Sequence, residues 1–106
     1  AWQARVAGAV NQPCRLIATG PPRIRRFGVV TGGGASFLEE AARLGCDAFL
    51  TGEANHHHFF EAEERGINLC LAGHYATETF GIRALGRWIA EHHGLDVEFI
   101  DIPNPI

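Results

Sequence analysis

Three short segments of the chain combine glycine with side chains that bind metal ions or carry protons. They are residues 31–34 (Thr-Gly-Gly-Gly), residues 51–53 (Thr-Gly-Glu), and Gly73-His74 with Glu78. Imidazole and carboxylate groups are metal ligands and proton carriers, and glycines let backbone N–H groups approach an anion closely. The segments are far apart in the sequence, so they form one site only if the fold brings them together.

His74 and Glu78 are candidates for binding a metal ion. They are four residues apart where a strand is expected to end and a helix to begin, and side chains at this spacing share a helix face. An imidazole and a carboxylate there could bind one zinc, manganese or iron ion. The structural alternative is an acidic residue that complements the helix dipole and a histidine that caps or packs. Two ligands also leave a site incomplete, since such metals normally take at least three protein donors.

Glu53 and the consecutive residues His56, His57 and His58 add further proton carriers. Neighbouring residues on a helix point about 100° apart, so the three histidines cannot all bind one ion. We expect one or two of them at most to face the site. Which of the three does so stays open at this point, and the alternative is a polar, solvated start of a helix.

The glycine run allows two interpretations. It follows a predicted strand and precedes a predicted helix, so it could bind a phosphate at the helix N-terminus. It lacks the lysine of a Walker loop, and Phe37 stands where a G-x-G-x-x-G motif needs its third glycine. The alternative is a tight turn that serves the fold, because glycine in a turn is primarily a conformational device.

The elements that must position these residues alternate between short apolar runs and helical patterns. This alternation predicts an α/β fold with a largely parallel or mixed sheet flanked by helices. Ser36 and Glu39 fit a capping box at the start of one helix. Because the carboxyl ends of parallel strands open onto one crevice, the three segments are expected to converge. Strands are expected at 14–18, 27–30, 48–50, 67–72 and 97–102, and helices at 2–10, 36–45, 55–65 and 73–93.

Composition indicates one domain and limits its partners. The chain has 106 residues, 46% of them hydrophobic, with 9 basic and 12 acidic residues and a net charge of -3. This balance argues against general binding to nucleic acid or an anionic membrane. No apolar run approaches the ~20 residues of a membrane span, and no signal peptide is evident, so we expect a soluble, cytoplasmic protein.

Sulfur-containing residues give two further expectations. The three cysteines form no C-x-x-C pair, which favours buried, reduced thiols over a disulfide framework or a thiolate zinc site. The chain contains no methionine, so its first residue is not a retained initiator. We expect the chain to be a piece of a longer protein or a processed form of one.

Taken together, the motifs resemble the C-terminal half of the Nif-three-like family, also known as GTP cyclohydrolase I type 2. The similarity runs from about Arg26 to Ile106, with each motif in order, and its most specific part is G-H-x-x-T-E. Many members carry histidine at the position of Phe60, so this chain departs from them there. The matching motifs are residues 32–37, 51–53 with His56 and His57, 73–78 and 99–105.

The resemblance implies a Nif-three-like α/β protein that forms ring-like homo-oligomers and holds a pair of divalent metal ions. Zinc, manganese, iron, cobalt and nickel all suit such donors. His74 and Glu78 match two metal ligands of the family, and Glu53 with His56 or His57 matches polar positions near the pocket. The remaining ligands belong to an N-terminal half with no counterpart here. We therefore expect a C-terminal portion of a larger dinuclear metalloprotein, which alone binds metal weakly.

Two functions agree with these residues. The first is a metal-dependent hydrolase of the cyclohydrolase type, in which a metal-activated water attacks a small-molecule or nucleotide-like substrate. Glu53 or His57 would move protons, and the glycine run could meet a substrate phosphate. The second is a non-enzymatic metal-binding module that serves regulation or protein interaction.

Overall fold

The computed structural model of the chain describes residues 2–106. Within these residues the chain forms four α-helices, four strands and one short 3-10 turn. In chain order they are α1 (Trp2–Val10), β1 (Arg15–Ile17), β2 (Phe27–Val29), the 3-10 turn (Ala35–Phe37), α2 (Leu38–Arg43), β3 (Ala48–Thr51), α3 (His57–Arg65), β4 (Asn68–Leu71) and α4 (His74–His93).

The four strands form one mixed sheet in the order β1-β4-β3-β2. Strands β2, β3 and β4 are parallel, and β1 pairs antiparallel with β4. Helix α2 connects β2 to β3 and α3 connects β3 to β4, as parallel neighbours require a crossover. The predicted mixed α/β fold is confirmed, and the carboxyl ends of three parallel strands lie at one edge of the sheet.

Strand β3 lies at the centre of the core because all four of its residues are buried. Successive side chains of a strand point to opposite faces, so Phe49 and Leu50 enter two different clusters. Phe49 packs on the side of α2 and α3, with Leu38, Ala41, Ala62, Ile67 and Leu69. Leu50 packs with Cys70 and Ala72 on the other side, which Trp2, Val6 and Val10 of α1 cover.

The start of α2 differs from the sequence-based prediction. The residue before the helix is Phe37, and no side chain caps the helix N-terminus there. The capping box expected from Ser36 and Glu39 is therefore wrong. The physical reason is the 3-10 turn, which places Ser36 inside a helical turn instead of at the boundary of the α-helix.

The end of the chain also departs from the prediction. The strand expected at residues 97–102 does not form, and the C-terminal segment (residues 94–106) has no regular secondary structure. Helix α4 has 20 residues, about 30 Å at 1.5 Å per residue, whereas a four-residue strand spans only about 13 Å. The helix thus carries the chain beyond the sheet, and the C-terminal segment returns along α4 without reaching a strand partner.

Helix α4 exposes much of its apolar face. Three large apolar side chains of this helix, Phe80, Leu85 and Trp88, are 47%, 56% and 49% exposed. The radius of gyration is 15.4 Å, against about 13 Å for a compact domain of this length. An apolar groove of about 680 Å³ lies between the second half of α4 and the C-terminal segment. We call it the α4 groove; its lining includes Ile82, Leu85, Ile89, Val97 and Ile100.

No helix within residues 2–106 has the length and apolar character needed to cross a membrane.

Candidate functional site

The three strand ends predicted to converge are joined by backbone hydrogen bonds. The Gly52 N–H donates to the Gly32 carbonyl oxygen at 2.8 Å, and the Gly73 N–H donates to the Gly52 carbonyl oxygen at 2.9 Å. These bonds continue the parallel ladder past the last strand residues. They place the glycine run, Glu53 and the start of α4 side by side, so this part of the prediction is confirmed.

Two of these glycines are required by close packing. Gly32 has a φ of +67°, and a Cβ atom there would collide with the Glu78 carboxylate. A Cβ atom on Gly52 would lie 2.6 Å from the Gly32 carbonyl oxygen and 2.6 Å from the Cα of His74. Any larger residue at Gly52 would push the strand ends apart, whereas one at Gly32 would be strained by the positive φ and would displace the Glu78 carboxylate.

Two buried threonines fix the glycine run, and sequence reasoning did not single them out. The Thr51 hydroxyl donates to the Gly32 carbonyl oxygen at 3.1 Å and accepts from the Gly34 N–H at 2.9 Å. The Thr77 hydroxyl accepts from the Gly32 N–H at 2.9 Å and donates to the Gly73 carbonyl oxygen at 2.8 Å. Their positions in the sequence could have indicated them, since Thr51 lies in the segment 51–53 and Thr77 lies between His74 and Glu78.

His74, Glu53 and Glu78 form the chemical centre of the site. The His74 Nδ1 atom lies 2.6 Å from Glu53 Oε1, and its Nε2 atom lies 3.2 Å from Glu78 Oε1. Their side chains are 36%, 47% and 52% exposed, respectively, so a ligand can reach all three. Glu53 follows β3 and His74 begins α4, which confirms that separate strand ends supply adjacent groups.

The position of His74 between two carboxylates determines what it can do. A neutral imidazole donates one proton, so it can serve only one carboxylate as a hydrogen-bond donor. The hydrogen bond to Glu53 raises the pKa of His74, and the charges of Glu78 and Glu53 add to this effect while burial opposes it. The second carboxylate contact therefore calls for a cation on the Nε2 side, either a proton or a metal ion.

The three side chains do not converge on one point. Glu53 contacts Nδ1 and Glu78 contacts Nε2, which face different directions from the imidazole ring. Across residues 2–106 the structure contains no group of three or more histidine, cysteine or acidic side chains that could together hold a metal ion. The His74 Nε2 atom and the Glu78 carboxylate, 3.2 Å apart, could face a common ion.

The glycine run is better suited to a tight turn than to a phosphate site. The N–H groups of Gly32 and Gly34 already donate to threonine hydroxyls. The Glu53 and Glu78 carboxylates lie next to the run, as the contacts of a Cβ atom at Gly33 and Gly32 show. Negative charge beside a loop with committed N–H groups disfavours an anion.

Two residues of the histidine run, His57 and His58, have different environments. His58 is buried, and its Nδ1 atom accepts from the Asn55 N–H at 3.0 Å, which is a structural role. His57 is exposed, and its ring lies against that of His58 with centroids 4.1 Å apart and the ring planes tilted by 34°. Among the described residues, no hydrogen bond or ion pair joins His57 to His74 or Glu53, so its proton-transfer role stays a prediction.

This fold, with glycine-bounded strand ends around a histidine and two carboxylates, defines an α/β protein with a polar site at the carboxyl edge of its sheet. The family model of Duf34/NIF3 (NGG1p interacting factor 3) matches residues 1–105. The chain therefore belongs to the DUF34/NIF3 family, which confirms the resemblance.

Curated relatives carry the name GTP cyclohydrolase 1 type 2 homolog. The protein from Haemophilus influenzae is 49% identical over 95 residues, which cover 90% of this chain and 38% of the relative. The protein from Escherichia coli K12 is 53% identical over 87 residues, which cover 82% and 35%. The chain thus spans less than half the length of the curated relatives it matches.

Solved structures agree with this assignment. The protein ybgI matches with a TM-score of 0.93 and 44% identity over 98% of this chain and 42% of its own. TTHA1606 from Thermus thermophilus matches with a TM-score of 0.90 and 33% identity over the same shares of each chain. HcgD from Methanocaldococcus jannaschii, at 24% identity and a TM-score of 0.77, shows the shared fold.

Proposed function

We propose that this chain contributes His74 and Glu78 to a divalent-metal centre of a hydrolase of the cyclohydrolase type. The observation that carries the proposal is the position of the His74 imidazole, with one carboxylate on each of its nitrogen atoms. The names of the curated relatives support a hydrolytic reaction on a nucleotide-like substrate.

The residues fit a metal ion in two respects. Two donors bound to one zinc ion at 2.0–2.1 Å in tetrahedral geometry are about 3.3 Å apart. The distance between His74 Nε2 and Glu78 Oε1 is 3.2 Å, so little rearrangement is needed. In addition, histidine ligands commonly donate their other N–H to a carboxylate, which fixes the ring and its tautomer. The Glu53 carboxylate occupies this position next to the Nδ1 atom of His74.

The chain's own residues would prepare the site for hydrolysis. A divalent ion supplies a water acidic enough to act as a nucleophile near neutral pH. Glu53 holds the Nδ1 proton of His74 and so keeps Nε2 free to bind a cation. Being 47% exposed, Glu53 can also take up or release a proton at the edge of the site, and His57 is the second candidate for proton transfer.

We further propose that the site is completed by residues outside these 106. The described residues include no group of three or more such side chains that could hold an ion together, whereas such ions normally take at least three protein donors. The matched relatives are more than twice as long as this chain. The active protein is therefore a longer chain. From the family resemblance, we propose that it holds two metal ions and forms a ring-like homo-oligomer.

The test measures metal affinity and turnover in the intact gene product. The variant combines His74→Ala with Glu78→Ala, and the matched control combines His93→Ala with Glu91→Ala at the other end of α4. We expect the site variant to lose at least tenfold in zinc or manganese affinity and to lose metal-dependent turnover of a nucleotide panel. The control should retain both. Equal metal binding by the site variant and the wild type would refute the proposed centre.

A non-enzymatic interaction module is the second candidate. The observation that favours it is the exposed apolar face of α4 with the α4 groove, because large apolar patches commonly mark protein-interaction surfaces. The same experiment separates the two functions. Metal binding that depends on His74, without turnover of any nucleotide tested, would favour the module over the enzyme.

A further inference from the structure

The C-terminal segment is attached to α4 at the residue next to His74. The Tyr75 hydroxyl donates a hydrogen bond to Asp101 Oδ1 and accepts one from the Ile102 N–H at 3.0 Å. The Tyr75 N–H donates to the Ile106 carbonyl oxygen at 2.9 Å. One residue of α4 therefore makes three hydrogen bonds to a segment that has no secondary structure of its own.

The bond to Ile106 gives the Tyr75 N–H an acceptor that the helix lacks. The first four N–H groups of a helix have no acceptor within it, and Tyr75 is the second residue of α4. A further contact continues the attachment, since the Arg83 guanidinium lies 4.3 Å from the centre of the Phe99 ring. The C-terminal segment is thus fixed along one side of α4 over two turns.

The opposite side of the same helical turn is attached to the site itself. The Thr77 hydroxyl bonds the glycine run through the Gly32 N–H and bonds the Gly73 carbonyl oxygen. His74 lies between the Thr77 attachment and the Tyr75 attachment. The first turn of α4 is thus bonded on two opposite sides, and without the Tyr75 hydroxyl it would lose two of the bonds on one of them.

We propose that Tyr75, through its bonds to Asp101 and the C-terminal segment, is a positioning residue that sets the direction of the His74 imidazole. This inference rests on the proposed function, because it concerns the orientation of a ligand in the same metal centre. Tyr75 points about 100° away from His74 around the helix, so it guides the imidazole without occupying its binding side.

A small rotation is enough to matter. Side-chain atoms lie about 5–6 Å from a helix axis, so a rotation of about 10° moves them by about 1 Å. Functional groups must be held within about 0.5 Å of their productive geometry. Loss of the Tyr75 hydroxyl should therefore weaken metal binding by about tenfold, the lower end of the effect seen when a group supporting a metal ligand is removed.

The experiment compares Tyr75→Phe, Asp101→Ala and Asp101→Asn in the intact gene product. Metal affinity is measured by competition with a chelator for zinc. We expect about a tenfold loss for Tyr75→Phe and Asp101→Ala, and recovery to within about threefold of wild type for Asp101→Asn, whose amide oxygen can still accept from Tyr75. Wild-type affinity in Tyr75→Phe would overturn the proposal.

Two controls separate positioning from stability and from the metal centre itself. Ile67→Val, in the distant core, lowers stability without touching α4, and it should leave zinc affinity unchanged. If it weakens zinc binding as much as Tyr75→Phe does, the role of Tyr75 is only structural and the proposal fails. In the metal-free protein, NMR couplings should show one His74 rotamer in wild type and averaging in Tyr75→Phe; a single rotamer in both also overturns it.

The rotamer measurement keeps the two proposals distinguishable. If the His74→Ala protein binds zinc as tightly as the wild type does, the proposed metal centre is refuted. The positioning of His74 by Tyr75 is then still decided by the NMR couplings, because they require no metal ion.

Discussion

Replacement of Gly52 by alanine tests the convergence of the three strand ends most severely. The added Cβ atom would lie 2.6 Å from the Gly32 carbonyl oxygen, 2.6 Å from the His74 Cα and 2.7 Å from the Gly73 carbonyl oxygen. An ordinary Cβ contact begins at 3.4 Å. Each of these backbone atoms must therefore move by roughly 0.8 Å, and strand ends bonded to one another cannot move independently.

The cost follows from this displacement. Overpacking in a close-packed region typically costs about 1–3 kcal/mol, and three backbone contacts place Gly52→Ala at about 3 kcal/mol. For a domain of this size the melting temperature should fall by about 12 °C or more. Chemical denaturation gives the free energy of unfolding, and calorimetry gives the melting temperature.

The matched control is Gly81→Ala, in the exposed interior of α4. Apart from its chain neighbours and the backbone of its own helix, no atom lies within 4 Å of a Cβ atom built there, so the substitution should stabilise the protein by about 0.5–1 kcal/mol through helix propensity. Glycine-to-alanine substitution is thus expected to lower the free energy of unfolding at Gly52 and to raise it at Gly81. A Gly52→Ala protein within about 0.5 kcal/mol of wild type would show that the strand ends are not packed as described.

Two other predictions concern groups outside the site. Asp47 accepts hydrogen bonds from the Arg25 and Arg26 N–H groups at 2.7 and 3.0 Å, and these bonds lower its pKa. Its stabilising effect should be present above the ordinary carboxyl pKa near 4 and be lost as pH falls through the lower folded-state pKa. Asp47→Asn should therefore show a weaker loss of stability on acidification, and an unchanged profile measured by urea denaturation would contradict this. Burial raises the pKa of the Cys70 thiol to about 12, so iodoacetamide at pH 8 should modify Cys70 only after unfolding. Labelling of Cys70 itself in the native protein, located by peptide mass spectrometry, would refute this.

The sequence predicted the fold where local pattern and tertiary packing agree. The apolar run at β3 is buried on both faces, and α3 ends at Arg65, as predicted. Where the outcome depends on a distant partner, prediction failed. Residues 97–102 are rich in the β-branched and aromatic residues typical of strands. Among the described residues, however, no strand lies beside them, and hydrogen bonds to the Tyr75 hydroxyl hold the segment instead.

The candidate site shows the same division. The i, i+4 spacing of His74 and Glu78 was sufficient to predict their contact, because a helix fixes that geometry locally. The contact of Glu53 with His74 follows from parallel strand ends. The roles of Thr51 and Thr77 could not be predicted, since a buried hydroxyl gains its partners only from the packing of three separate segments.

The metal content per chain, determined by elemental mass spectrometry after dialysis against a weak chelator, tests the central claim most directly. The intact gene product should retain divalent metal, and the His74→Ala, Glu78→Ala variant should lose it. The 106-residue chain by itself should hold metal only weakly, because it offers two ligands to one ion. Two tightly held ions on the 106-residue chain alone, or none on the intact gene product, would contradict the account.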